Sequence, residues 1–72
     1  MNREQFNYNL GNAVRDLRVE LSLTQEQLAE KADLSRNYIS AVERGERGLT
    51  VYSLYRILSA VDVPFEKFIQ RV

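Results

Sequence analysis

The sequence predicts an all-α fold, a compact domain of five short helices, and three observations point there. Apolar residues recur at three- and four-residue intervals with no strand-like alternation. Ser and Thr stand where several helices would begin, and Asp33, Gly45 and Pro64 punctuate the gaps. Leu10, Val14, Leu17 and Leu21 form the apolar stripe of a first helix, interrupted by Ser22-Leu23-Thr24. Thr24-Gln25-Glu26-Gln27 reads as a capping box, in which the Thr24 hydroxyl accepts a backbone N–H and Gln27 reaches back. The second helix buries Leu28, Ala29 and Ala32 and breaks at Asp33. Ser35 caps a third helix carrying Ile39 and Val42, which ends where Gly45 accommodates a positive φ. Thr50 caps a fourth, expected to bury Val51, Leu54, Ile57, Leu58 and Val61. Pro64 is placed to start a fifth, whose apolar side is Phe65, Phe68 and Ile69.

Composition narrows the function. Seventy-two residues make one domain, 1–72, and with 44% hydrophobic residues the chain is globular rather than disordered. There is no cysteine and no histidine, so a disulfide framework, a thiolate or histidine zinc site and a Ser-His-Asp arrangement are excluded. A small core without staples makes oligomerisation the remaining source of extra burial. No apolar run reaches a membrane span and Met1-Asn2-Arg3-Glu4 starts no signal peptide, which predicts a cytoplasmic protein. The carboxylates scatter over different helix faces with no nucleophile–base pair, so an enzyme is not expected; nor is a cofactor, metal or small-molecule ligand. The formal net charge is zero, yet Arg36, Arg44, Arg47 and Arg56 face only Glu43 and Glu46 between residues 34 and 56. All four cations are arginine, whose planar fork suits phosphates and guanine edges.

The most informative spacing runs from Gln25 to Arg44. Ala29 is small where the third helix must cross the second. Asp33 occupies a turn position that favours left-handed backbone, Leu34 pins the turn, and Ile39 and Val42 close the pair onto the first helix. This is a helix-turn-helix by spacing as well as by helix count. The string Leu23-Thr24-Gln25-Glu26-Gln27-Leu28-Ala29, followed by Tyr38-Ile39-Ser40-Ala41-Val42-Glu43-Arg44-Gly45, resembles the Cro and phage-repressor (XRE) family. The resemblance runs from Leu10 to Phe68 without insertion. Ser35-Arg36-Asn37-Tyr38-Ile39-Ser40 and Glu43-Arg44-Gly45-Glu46-Arg47 are most similar to the controller proteins of restriction-modification systems. Two positions depart from the family pattern: Asp33 stands where Gly is usual, and Leu49 where many members have Pro.

The resemblance implies a sequence-specific, DNA-binding transcriptional regulator or repressor that binds a near-palindromic operator as a homodimer and possesses no catalytic activity. Arg36, Asn37, Tyr38, Ser40 and Arg47 are expected at base edges, with Gln25, Ser35 and Arg44 on phosphates. Arg18 and Glu43 are expected as a structural ion pair, which keeps Glu43 from repelling DNA. Tyr52, Tyr55, Phe65, Phe68 and Val72, in a stretch of about 50–71 and just beyond it, are assigned to the dimer interface, with the competing view that some of them finish the monomer core. The second reading of the same facts is a protein-interaction module, an antitoxin or partner-binding bundle, which neutral charge and C-terminal aromatics would also suit.

Overall fold

The computed structural model describes residues 1–72 and contains five helices: α1 (Arg3–Glu20), α2 (Gln25–Ala32), α3 (Arg36–Glu43), α4 (Val51–Ala60) and α5 (Phe65–Ile69). No helix is long and apolar enough to cross a membrane. Four of the five starts are built by side-chain caps. Asn2, Thr24, Ser35 and Thr50 each accept the backbone N–H three residues on, satisfying donors that lack an intrahelical partner. Thr24 and Gln27 complete the capping box in both directions, at 3.0 and 2.8 Å. Pro64 occupies the cap position of α5, one residue before its first turn.

The turns follow the residues that permit them. Asp33 adopts left-handed backbone (φ 56°, ψ 47°) and Gly45 has φ 78°. Beyond Asp33, the Leu34 N–H donates to the Ala29 carbonyl at 2.9 Å, which closes the end of α2 before the chain enters α3.

α3 lies against both α1 and α2, and α4 packs on α2. The core gathers Leu10, Val14 and Leu17 of α1, Leu28 and Ala32 of α2, Ile39 and Val42 of α3, Ile57 and Leu58 of α4, and Phe68 of α5. Gly11 makes the closest approach. A Cβ built there would stand 2.2 Å from the Val42 carbonyl oxygen and 3.0 Å from that of Glu43, so α1 crosses the end of α3 over bare backbone.

Three expectations about burial require correction. Phe68 is 0% exposed and completes the core, so it forms no part of a surface contact. Val51 is 86% exposed: as the first residue of α4 it precedes the turn that reaches the core. Leu21 lies beyond the last turn of α1, where the chain swings away through Ser22 (φ 59°), and is left exposed. Val72 is half-buried against the core. Near the C-terminus, Arg71 donates both arms of its guanidinium to Glu20 at 2.7 and 2.9 Å, joining the end of the chain to the end of α1. This hydrogen-bonded fork holds the Glu20 carboxyl below the usual carboxylate range.

Candidate nucleic-acid interface

The exposed start of α3 is displayed by two features of the sequence. Ile39 and Val42 turn the opposite face of the helix into the core, and Ser35 fixes the first turn by accepting the Tyr38 N–H at 3.0 Å. Ser35, Arg36 and Asn37 are consequently exposed. Arg36 makes no ion pair, so its fork is available. Tyr38 is half-buried. Its hydroxyl reaches the Gly48 carbonyl at 3.5 Å, and the Arg47 guanidinium stacks 4.8 Å from the ring centroid. A cation–π contact of this kind orders a long side chain while leaving its charge outward. Tyr38 and Arg47 thereby share one region of surface, and Arg36 and Asn37 precede Tyr38 on the exposed first turn of α3.

Ser40 and Arg44 belong to a different arrangement. One arm of Arg44 donates to the Ser40 hydroxyl, while its other nitrogens grip Glu46 at 2.9 and 3.1 Å. Both charged side chains remain more than half exposed, and the contact lowers the Glu46 carboxyl below its ordinary range. Ser40, half-buried, presents its hydroxyl to Arg44.

Behind this surface lies a polar network centred on Glu43, whose side chain is only 3% exposed. Arg18 donates to both of its carboxylate oxygens, from Nε at 2.7 Å and from Nη2 at 3.0 Å. The Gln25 side-chain amide donates to Oε1 at 3.0 Å, and Arg18 Nη1 also reaches the Leu23 carbonyl at 2.8 Å. The hydrogen-bonded carboxylate raises the Arg18 guanidinium above its usual value. One buried acid thus connects α1, the loop before α2, the first residue of α2 and the last of α3. It also revises the part assigned to Gln25, whose amide is held inward by Glu43. The backbone N–H groups of Gln25 and Glu26 precede the first bond of the α2 ladder, from Leu28 N to the Thr24 carbonyl.

Arg56 belongs to the arginine-rich middle of the sequence, but it is engaged internally. Its Nε donates to the Ala32 carbonyl at 2.7 Å, Nη2 donates to Asp33 at 3.0 Å, and the remaining arm meets the Tyr52 hydroxyl. No sequence rule links residues 23 or 24 apart across two helices, and the carbonyl at a helix end leaves no mark in composition. Of the remaining aromatics, Tyr52, Tyr55 and Phe65 are all more than half exposed. Tyr55 and Phe65 line an apolar groove of about 630 Å³ between α4 and α5, together with Val51, Leu54, Leu58 and Val63.

Comparison with known proteins agrees with this geometry. Residues 14–68 match the helix-turn-helix family HTH_3. The chain is 40% identical over 62 residues to the control protein C.SmaI of Serratia marcescens, covering 86% of this chain and 74% of that protein. It is 41% identical over 54 residues to C.BamHI of Bacillus amyloliquefaciens, covering 74% and 67%. Among solved structures, the restriction-modification controller protein C.Esp1396I, crystallised as a tetramer with its natural 35-base-pair operator, superposes with a TM-score of 0.82. That match has 36% identity and covers 89% of this chain and 84% of the other. The chain therefore belongs to the helix-turn-helix family HTH_3, among whose members it is similar to the control proteins of restriction-modification systems.

Proposed function

We propose that this protein is a transcriptional regulator that binds near-palindromic operator DNA as a homodimer and controls a restriction-modification operon. The observation that carries the reading is the exposed, unpaired Arg36 beside Asn37 at the start of α3, with Arg47 ordered on the Tyr38 ring alongside. The first residues of the second helix in such a motif meet base edges in the major groove. Arg36 matches the paired acceptors of guanine, and Asn37 the donor and acceptor of adenine. Tyr38, Ser40 and Arg47 extend the base-reading set. Ser35, Arg44 and the free N–H groups at the start of α2 hold phosphates, the last aided by the positive end of the helix dipole. No catalytic step belongs to this reading, and DNA as the ligand implies the cytoplasm. The control-protein relatives favour it over a protein-interaction module.

Size supports pairing. The Cα framework extends 30 Å along its longest axis and carries one recognition helix, whereas half-sites one helical turn apart lie about 34 Å from each other. Two copies are needed to read both. The α4–α5 groove, lined by Val51, Leu54, Tyr55 and Phe65, is the apolar surface on which a second copy packs. Tyr55→Arg is expected to convert the dimer to a monomer at micromolar concentration. Sedimentation unchanged by that substitution would overturn the assignment of the interface, and a wild-type monomer would overturn the dimer itself.

Selection from random DNA tests the function, with strong enrichment of a two-fold symmetric site expected. Arg36→Ala should then lose about 1–3 kcal/mol of operator affinity and relax preference at one base pair, while Arg44→Ala weakens operator and random DNA alike. Equal losses on both DNAs for both variants would remove the distinction between base and phosphate contacts.

A further inference from the structure

The groups around Arg56 join two parts of the molecule whose relative orientation matters. Ala32 is the last residue of α2, and Asp33 is the left-handed residue whose backbone angles aim the chain into α3. Arg56 stands on α4, which packs on α2 and also carries five of the groove residues, Val51, Leu54, Tyr55, Leu58 and Ser59. Its guanidinium holds the Ala32 carbonyl at 2.7 Å and the Asp33 carboxylate at 3.0 Å, and lies 5.3 Å from the Tyr52 ring centroid.

Apolar packing of α4 on α2, through side chains such as Ile57, is non-directional and leaves small rotations and translations cheap. A planar fork that engages a helix-end carbonyl and the next side chain together fixes both register and rotation. Asp33 contributes on its own account. It takes the left-handed conformation without being glycine, and the bond to Arg56 ties the side chain of that turn residue to α4.

We propose that Arg56 is a positioning residue for DNA recognition: by clamping the α2–α3 turn to α4, it sets the angle between the recognition helix and the self-association face. The distance between half-sites that the dimer reads follows from that angle. The inference rests on the operator-binding dimer proposed above. Two linked reading heads gain from binding together only where their spacing matches that of the sites. A loosened clamp broadens the accepted spacing, even though Arg56 itself touches no base.

The test uses the full chain and the operator obtained by selection, with the distance between half-sites altered by one or two base pairs in either direction. Wild-type protein is expected to prefer one spacing over its neighbours by about tenfold or more. Arg56→Met should reduce that ratio to about threefold or less, with affinity for an isolated half-site unchanged within about twofold. Circular dichroism establishes that the variant is folded at the assay temperature; if it is not, Arg56→Lys, which keeps the charge but loses the fork, must broaden the spacing in the same sense. A variant that binds every spacing more weakly while keeping the wild-type ratio would show a purely structural role and overturn the proposal. A wild-type protein that binds the selected operator without any spacing optimum would overturn it as well, while leaving DNA recognition intact. A wild-type protein that selects no DNA sequence overturns the operator reading and the role of Arg56 with it.

Discussion

Gly11→Ala is expected to lower the melting temperature by more than about 10 °C, against the direction that helix propensity alone would give. In an exposed helix interior the same change stabilises by about 1 kcal/mol, because alanine has less backbone freedom to lose. Here the new methyl group would lie 2.2 Å from the Val42 carbonyl oxygen, a backbone atom held in α3. Relief requires α1 to move away from α3, loosening Leu10, Val14 and Leu17 against Ile39 and Val42. Overpacking of this kind costs on the order of 3 kcal/mol, which outweighs the propensity gain. Thermal denaturation of the variant beside Asn12→Ala, one residue along the same helix, separates the clash from propensity. A melting temperature at or above wild type for Gly11→Ala would refute the close crossing.

The second large effect belongs to Glu43. Removal of its carboxylate in Glu43→Ala leaves the Arg18 guanidinium, whose side chain is 14% exposed, with only the Leu23 carbonyl as a partner. The Gln25 amide loses its acceptor as well. Breaking one side of a buried pair costs about 3–5 kcal/mol, whereas an exposed pair costs 1 kcal/mol or less. The larger figure applies because Glu43 is 3% exposed and accepts three charged or amide donors. Glu43→Ala combined with Arg18→Met should recover part of the loss, since the unpaired cation is then gone too. Urea denaturation of both single variants and the double variant measures this. A change below about 1 kcal/mol for Glu43→Ala would place the pair among ordinary surface contacts.

Much of this architecture was legible in the sequence because it is local. The Thr24–Gln27 box, the Ser35 and Thr50 caps, and the left-handed residues Asp33 and Gly45 are all determined within four or five positions, and each occurs as the residue types require. The Arg18–Glu43 contact spans 25 residues and was anticipated only through family resemblance, since spacing alone does not bring those side chains together. Two other distant relations left weaker signals. An interior helix glycine usually has a packing reason, but Gly11 alone does not say which backbone it meets. Arg56 looked like one more cation in a basic stretch, because a carbonyl acceptor at the end of α2 is invisible in sequence. Periodicity likewise placed Phe65 and Phe68 on one apolar side, but could not distinguish the ring that fills the core from the one that faces solvent.

Helix α5 is five residues long, too short to keep its shape in water unaided. Its order comes from one buried ring, Phe68, from Val72 packed on the core and from the fork between Arg71 and Glu20. Segments held by so few contacts open locally at a fraction of the free energy that unfolds the whole. Pro64 and Phe65 stand in the groove wall, whereas Glu43 joins α1, α2 and α3. In the proposed dimer, self-association and base reading thus fall to different helices, the groove to α4 and α5 and the reading head to α3.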